Sequence, residues 1–358
     1  MNNMPSANKG EWSELYVLFK IFADRSIMAA DMNLQPTDDE YTFLQIFRED
    51  IQDRKYTYDL EQVGVVKIID SAGSLVKSVS VADLPDKTKK IFDTIKNADS
   101  SSFTISDAVS LMSEYKIEKI KANSNEKSDI VAIIRDKVVA RSKPIGFSIK
   151  SQIGGASTLL NASKRTNFVY KINNFNGDIE AIDKIDGTKK IRDRLSAIIE
   201  NGASLEFSHV DSVVFTRNMR LIDTILPNVV ASMLVDYYLG LDNTLKNLAT
   251  SCGNKRMYDL GEIEISYKIK SFLRAIALGM VPSRDWDTYL ATYGGYIVVR
   301  EDGLLVCYHL YNDDDFKDYL FNNTKFDTPS SGRHDFGSVY MDGDQAMINL
   351  NLQIRFTQ

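Results

Sequence analysis

The amino-acid sequence predicts an α/β protein in which a mixed β-sheet is flanked by helices and the C-terminal part is richer in strands. Three observations lead to this prediction. Residues 11–30 carry apolar side chains at helical spacing. Residues 128–152 hold short apolar runs with the period of two that is typical of strands. Residues 293–310 contain two apolar runs around a Glu-Asp-Gly turn, which predicts a hairpin.

The remaining elements are predicted from periodicity and turn signals. Further helices are predicted at residues 42–54, 82–97, 106–115 (with Ser106 as N-cap), 182–201, 221–241 and 263–278. A hairpin is predicted at residues 64–80, strands at 167–172 and 346–356, and a polar loop at 322–335. The length of 358 residues favours two parts, with a core at residues 1–200 and a helical and β-rich part at 201–358.

Composition excludes several classes of protein. The chain is 44% hydrophobic and 26% charged, and no apolar run approaches the roughly 20 residues that a membrane span needs. The polar N-terminus lacks the apolar segment of a signal peptide. Cys252 and Cys307 lie in no paired motif, which argues against a disulfide framework or a zinc site. We therefore expect a cytoplasmic protein with no membrane partner.

Net charge gives a weak argument against nucleic-acid binding, because the chain carries −6 and phosphate contacts need cations. For binding to phosphate, however, a local patch of basic residues matters more than the net charge of the whole chain. Basic side chains are concentrated within residues 164–194, namely Lys164, Arg165, Lys171, Lys184, Lys189, Lys190, Arg192 and Arg194.

The most informative stretch is residues 128–152. Asp129 opens the first strand, and in period-2 geometry Ser148 and Lys150 share one face of the last strand. If the strands pair, Asp129 and Lys150 converge on one edge of the sheet. An ordinary hairpin with a surface aspartate and lysine would give the same pattern.

This pattern resembles the nuclease core in which a carboxylate on one strand is followed by (Asp/Glu)-x-Lys on the next. In that core carboxylates hold Mg²⁺, and the lysine orients the attacking water and stabilises negative charge. The family pattern is broken here, because Ser148 stands where an acid is expected. A backbone carbonyl near Ile149, the side chain of Gln152 or an acid from elsewhere would have to replace that ligand.

Longer stretches resemble the HpaII-type restriction endonucleases from end to end, and the likeness looks close to the type member. They are residues 8–16, 146–152, 159–163 and 350–356. The resemblance implies a restriction-endonuclease-like core within residues 1–200 and DNA-recognition loops within 201–358. It also implies Mg²⁺ as cofactor, double-strand cuts at the palindrome CCGG, a cytosine methyltransferase as functional partner, and a possible homodimer.

The resemblance also implies roles for individual residues. Asp129 is expected to bind the metal and Lys150 to orient water, with Ser148 and Gln152 in supporting places. A glutamate of the first helix is expected to help hold the metal or its waters, and we favour Glu14 over Glu11. The alternative is that these acids only favour the N-terminus of a helix.

Two loops are candidates for DNA contacts. The small, hydroxyl- and amide-rich segment 154–163 can approach a phosphate, and we single out Thr158 and Asn161 together with Lys164 and Arg165, which follow it. The second loop, at residues 329–334, carries two side chains suited to nucleic-acid contacts, and arginine matches the edge of guanine. They are Arg333 and His334.

Two other functions stay open. A non-catalytic DNA-binding protein with a degenerated nuclease core would explain Ser148. A nuclease for structured or RNA substrates is the third possibility. His309 and Asn312 are too few for a histidine-metal nuclease, and we expect His209 and His309 to be structural.

Overall fold

A computed structural model of the chain describes residues 5–357 except 53, 123–127, 138–139, 289–293 and 310–312. The chain divides into two compact units. Unit 1 comprises Met1–Ser157 and Leu290–Tyr319, and unit 2 comprises Thr158–Tyr289 and Leu320–Gln358. From the sequence we expect a nuclease core within residues 1–200 and DNA-recognition loops within residues 201–358. This functional division stays a prediction.

The chain contains both helices and strands along its length, as the α/β prediction requires. The first part contains α1 (Lys9–Asp24), β1 (Ser26–Ala30), β2 (Pro36–Ile51), β3 (Arg54–Asp59), β4 (Val65–Ile69), β5 (Leu75–Ser80), α2 (Leu84–Asn97), α3 (Ser106–Glu114), β6 (Ile130–Arg135) and β7 (Ile145–Ser151). The middle contains β8 (Thr158–Leu160), β9 (Asn167–Asn173), α4 (Ile179–Asp183), α5 (Lys190–Glu200), β10 (Ser204–Val210), α6 (Val213–Ile222), α7 (Leu226–Tyr238), α8 (Leu245–Asn254) and α9 (Glu262–Ala277). The last part contains β11 (Gly295–Val299), β12 (Leu305–Tyr308), α10 (Asp313–Asn322), β13 (Thr324–Phe326), α11 (Ser331–His334), β14 (Val339–Asp342), β15 (Gln345–Asn351) and β16 (Ile354–Phe356).

Unit 1 is built on a nine-stranded sheet in the order β1-β12-β11-β7-β6-β2-β3-β4-β5. An additional pairing between β1 and β2 closes the first six strands into a ring. Two neighbouring pairs are parallel, β1 with β12 and β11 with β7, and the others are antiparallel. Side chains of α1, α2 and α3 pack with the sheet in one hydrophobic core. The mixed α/β class predicted from the sequence is confirmed.

The helix predicted at residues 42–54 is wrong, because this stretch forms the long strand β2. Its buried positions alternate and continue into Arg48 and Asp50, whose side chains pair at 2.7 Å. The helical interpretation relied on Phe47 and Ile51 facing inward, but Ile51 is 40% exposed. A bulge between Phe43 and Gln45 shifts the register and makes the apolar spacing look helical.

The first helix is shorter than residues 11–30. It ends at Asp24, and Arg25 adopts the left-handed conformation with φ of 70°. Residues Ser26–Ala30 then form strand β1. The helix predicted at 106–115 is present, but Ser106 is its first residue and Ile105 is the N-cap.

The strands around the candidate site agree with the sequence prediction. β6 and β7 are antiparallel neighbours, and β4 with β5 and β11 with β12 form the two predicted hairpins. Val138 and Val139, which the prediction included in a strand, lie outside the described residues.

Unit 2 contains a four-stranded sheet in the order β10-β9-β15-β14 and a three-stranded sheet in the order β13-β16-β8. Three predicted elements are interrupted here. The helix at 182–201 is broken around Gly187, the helix at 221–241 is divided with Pro227 in the first turn of α7, and the last strand is split into β15 and β16. The polar loop at 322–335 contains β13 and the short helix α11. Among the described residues no helix is long and apolar enough to cross a membrane.

Candidate functional site

Backbone and side-chain hydrogen bonds fix Asp129 against strand β7. Asp129 directly precedes β6, and its backbone N–H donates to the Phe147 carbonyl at 2.8 Å. Its carboxylate oxygen Oδ2 accepts from the backbone N–H of Ile149 at 2.7 Å and from Ser148 Oγ at 3.3 Å. Oδ1 accepts no hydrogen bond from another described residue, so one oxygen is left to face a cation or water.

Ser148 stands where the sequence pattern led us to expect an acid. Its side chain is only 8% exposed and donates its hydroxyl hydrogen to Asp129. A hydroxyl in this place holds the aspartate and adds no negative charge to the site. The structure therefore gives Ser148 a supporting contact with Asp129.

Helix α1 brings its two glutamates, Glu11 and Glu14, to different places. Glu11 closes a capping box: Asn8 Oδ1 accepts from the Glu11 N–H, and Glu11 Oε2 accepts from the Asn8 N–H, both at 3.0 Å. The buried Ser13 hydroxyl donates to the Lys9 carbonyl and lies 3.1 Å from Ser151 Oγ at the end of β7. This contact holds α1 against β7 and places the next residue, Glu14, beside the strand.

Glu14 shares its surroundings with Asp129 and two lysines. The pKa of Glu14 is raised from 4.5 to about 7, first by burial and second by the nearby Asp129 charge, whereas the Lys121 and Lys150 charges act in the opposite direction. The Lys121 Nζ atom lies 3.8 Å from Glu14 Oε1. One carboxylate raises the pKa of another in this way when the two lie close together. Of the two helix acids, Glu14 is therefore the one close to Asp129.

Lys150 and Gln152 continue the face of β7 that begins with Ser148. Lys150 is half-buried, and its ammonium group makes no ion pair or hydrogen bond with another residue in the described part of the chain. Gln152 lies just after β7, where its backbone N–H donates to the Val299 carbonyl at 2.9 Å. Its amide makes no hydrogen bond within the described ranges, so it stays available to water or a ligand.

Sequence reasoning missed two residues of the site, one near Asp129 and one beside Glu14. Tyr296 of β11 is the register partner of Ser148, is fully buried, and has a hydroxyl with no hydrogen-bond partner among the described residues. Burial raises its pKa most, followed by Tyr319 and Asp129. No local signal could reveal Tyr296, because β11 and β7 are far apart in sequence. The second missed residue is Lys121, which lies beside Glu14. The only signal in the sequence that could have indicated it is its positive charge.

An open cleft of about 640 Å³ adjoins Glu14 and Lys150. Much of its wall is formed by small hydroxyl side chains: Ser100, Ser101, Ser151 and Ser157. Gly154 has a φ of +104°, and a Cβ there would lie 3.2 Å from Lys9 Cδ. Hydroxyl groups, exposed backbone and lysines together suit the sugar-phosphate backbone of a nucleic acid.

The donor set at this site fits a hard divalent cation. Within the described residues no three His, Cys, Asp or Glu side chains form a cluster that could hold a metal ion. Mg²⁺, however, is commonly held by one or two carboxylates and keeps several waters. Asp129 and Glu14, whose charges repel each other, supply such a pair.

The residues predicted to contact DNA all lie in unit 2, whereas the candidate catalytic residues all lie in unit 1. Thr158 belongs to β8, and Asn161 and Arg165 are exposed. Arg333 lies exposed in α11, and His334 is half-buried at its end.

Two of these loops are in contact. Lys164 forms an ion pair with Asp335, next to His334. Asn167 Nδ2 donates to the carbonyls of His334 and Asp335 at 3.0 and 3.3 Å. The structure thus brings the segment with Lys164 and Arg165 beside the segment with Arg333 and His334.

Comparison with known proteins gives consistent matches. Residues 8–356 match the family model described as HpaII restriction endonuclease. The Type II restriction enzyme HpaII of Haemophilus parainfluenzae is 38% identical over 362 residues, which cover 99% of this chain and 100% of that enzyme. No solved structure matches. At 38% identity the chain is similar to the type member but less close to it than the sequence resemblance suggested.

The Glu14→Gln substitution is expected to remove a pH dependence of stability in metal-free protein. The raised pKa means that the folded protein keeps a proton that the unfolded chain releases between pH 4.5 and about 7. Protonated Glu14 therefore favours folding below pH 4.5, and this contribution is lost as the pH rises to about 7. The variant should match wild type at pH 4.5 and exceed it at pH 8 by up to about 3 kcal/mol. Denaturant unfolding in a chelator measures both differences.

Glu11→Gln is the matched control, because Glu11 lies on the same helix and closes its cap. It should cost about 1 kcal/mol at both pH values. A Glu14→Gln effect that is equal at pH 4.5 and pH 8 would contradict the raised pKa.

Proposed function

Because the chain belongs to the HpaII restriction endonuclease family, we propose that it makes Mg²⁺-dependent double-strand cuts at a short palindromic DNA site. The target implied by the sequence resemblance is CCGG. The observation that carries the proposal is the convergence of Asp129, Glu14 and Lys150 beside an open cleft. Two carboxylates can hold a divalent cation and a lysine can orient water, so the three side chains suit metal-dependent hydrolysis of a phosphodiester bond.

Each side chain has a distinct part in the proposed reaction. When bound, Mg²⁺ supplies polarisation of the scissile phosphate and lowers the pKa of water. Asp129 and Glu14 would hold it, and the Ile149 N–H and the Ser148 hydroxyl keep Asp129 in one orientation. Lys150 makes no ion pair with the described residues, so its ammonium can orient water and stabilise charge on the phosphate. Gln152, on the same face, can bind a water or a phosphate oxygen.

The alternative is a DNA-binding protein whose nuclease core has lost activity. Ser148 in the place of an acid favours it. Incubation of plasmid DNA with the protein and Mg²⁺ separates the two functions. Discrete fragments support a restriction enzyme, smears support an unspecific nuclease, and binding without cleavage supports the alternative.

The resemblance to restriction systems extends the proposal to partners. We expect double-stranded DNA as substrate, a cognate cytosine methyltransferase that protects the host sites, and action in the cytoplasm. A palindromic target has a two-fold axis, which a homodimer would match.

Lys150→Ala is expected to slow cleavage by about 10²-fold or more while DNA affinity stays near that of wild type. The reason is that the ammonium acts on the reacting water and phosphate and contributes little to binding. Single-turnover cleavage with excess protein measures the chemical step. Lys89→Ala in α2 removes the same charge from an exposed position and is the control. Near-normal single-turnover cleavage by Lys150→Ala would refute its role.

Asp129→Asn is expected to abolish cleavage, because it removes a charged ligand but can still accept the hydrogen bonds from Ile149 and Ser148. Glu14→Gln should have a milder effect and Glu11→Gln the smallest. Cleavage rates across a Mg²⁺ titration measure all three. If Glu11→Gln is inactive while Glu14→Gln stays active, the acid of α1 that holds the metal is Glu11 and not Glu14.

Arg333→Ala is expected to weaken binding to a CCGG duplex by about 1–3 kcal/mol and binding to a scrambled duplex by less. An exposed arginine can match guanine O6 and N7 with two hydrogen bonds. Binding in Ca²⁺, where cleavage should be slow, measures both affinities, and Arg220→Ala in α6 is the control. An equal loss on both duplexes would make Arg333 a phosphate contact, and no loss would remove α11 from the interface.

A further inference from the structure

Unit 2 contains a second open cleft, of about 610 Å³, that none of the roles above requires. It lies among the start of α5, the end of α7 and residues 328–331. We call it the α5–α7 cleft. Three basic residues line it, Lys189, Lys190 and Arg192, and none of its described lining residues is an aspartate or glutamate. In a chain with a net charge of −6 this is a local region of positive charge.

Two of the three cations are not neutralised by the protein. Lys189 and Arg192 are exposed, and neither side chain forms an ion pair or hydrogen bond with another residue in the described ranges. The Lys190 Nζ atom lies 3.4 Å from Oδ1 of Asp186, whose side chain is largely exposed. Cations that lack protein partners are free to contact an anion.

Arg192 is held at the cleft by close packing. A Cβ on Gly240 would lie 3.2 Å from both Cζ and Nη1 of Arg192, so the guanidinium packs directly on the glycine backbone. Gly240 has a φ of +80° and follows the last turn of α7, where its N–H donates to the Tyr237 carbonyl at 2.8 Å. The glycine that ends one helix therefore also makes room for the cation of another.

Hydrogen-bond donors line the same cleft. The side chains of Thr188, Ser330 and Ser331 bond to no other described residue, and α5 has no side-chain cap at its N-terminus. Uncapped N–H groups and hydroxyls are the usual partners of phosphate oxygens. They act here together with Lys189 and Arg192, so the site does not depend on the helix end alone.

The aromatic side chains of the cleft do not offer a base-stacking platform. Tyr237 contacts the rings of Tyr238 and Phe326, with centroids 4.9 and 5.6 Å apart, and its hydroxyl lies 2.8 Å from Thr328 Oγ1. Tyr238 is 5% exposed. Since these rings are engaged by the protein, the cleft favours the backbone of a nucleic acid over a free nucleotide.

We propose that the α5–α7 cleft binds phosphate groups of the DNA backbone through Lys189 and Arg192. The inference rests on the proposed function, since it requires a DNA substrate. Ser331 belongs to the cleft and begins α11, the helix that carries Arg333. A phosphate bound here sets the position of the duplex against α11 without reading its sequence.

The test is the double substitution Lys189→Ala and Arg192→Ala, with affinity measured in Ca²⁺ on CCGG and scrambled duplexes across a salt series. Both affinities should fall by a similar factor, about tenfold at low salt. The slope of log affinity against log salt should fall by about 1–2, because each lost phosphate contact releases about one counterion fewer. Single-turnover cleavage at saturating protein should stay within about twofold of wild type.

The matched control is Lys246→Ala with Arg220→Ala, which removes one lysine and one arginine from exposed positions of unit 2 outside the cleft. Equal effects in the control would indicate a general charge effect and overturn the proposal. A loss confined to the CCGG duplex, or no change in the salt slope, would overturn it as well. Wild-type binding without any cleavage would refute the nuclease function alone, whereas failure of the wild type to bind either duplex would refute both.

Discussion

The hydrogen bond from the Ile149 N–H to Asp129 Oδ2 is the contact on which the candidate site depends. It forms only when β6 and β7 pair in their observed register, with Ile130 opposite Phe147. A slip of one residue would turn Ser148 and Lys150 to the opposite face of β7. The buried apolar residues Phe147 and Ile149 oppose such a slip, because it would expose both. Core packing thus fixes the place of a charged group at the strand ends.

The second constraint is the energetic cost of bringing Glu14 close to Asp129. Burial and a like charge both oppose ionisation of Glu14, so the metal-free site favours its protonated form up to about pH 7. Glu14 stays near Asp129 because α1 is held in place by its cap, by the Ser13 contact with Ser151 and by its buried apolar face. A pair of carboxylates held together against their repulsion is suited to a divalent cation. Because position 148 is a serine, the site has two carboxylates among the described residues and lacks the third that the sequence pattern led us to expect.

The candidate groups divide by chemistry between the two units. Unit 1 holds the paired acids and Lys150, which suit bond cleavage, and unit 2 holds Arg333 and the cations of the α5–α7 cleft, which suit binding. An acidic chain can bind DNA in this way, because its cations are gathered where carboxylates are few. Affinity for phosphate then depends on local charge and not on the total of −6.

The sequence by itself determined the features that depend on neighbouring residues. The first helix, the hairpins β4–β5 and β11–β12, and the shared face of Ser148 and Lys150 follow from local periodicity and turn chemistry. The family likeness was also readable from the sequence. Tertiary structure decided the rest. Residues 42–51 form part of strand β2 although their apolar spacing resembles that of a helix. A bulge shifts the register, and the buried Arg48–Asp50 ion pair completes the inward face of the strand. Tyr296 reached Ser148, and Arg192 reached Gly240, only through contacts between distant segments. Such contacts leave no periodic trace, because the pairing energy depends on residues that lie far apart along the chain.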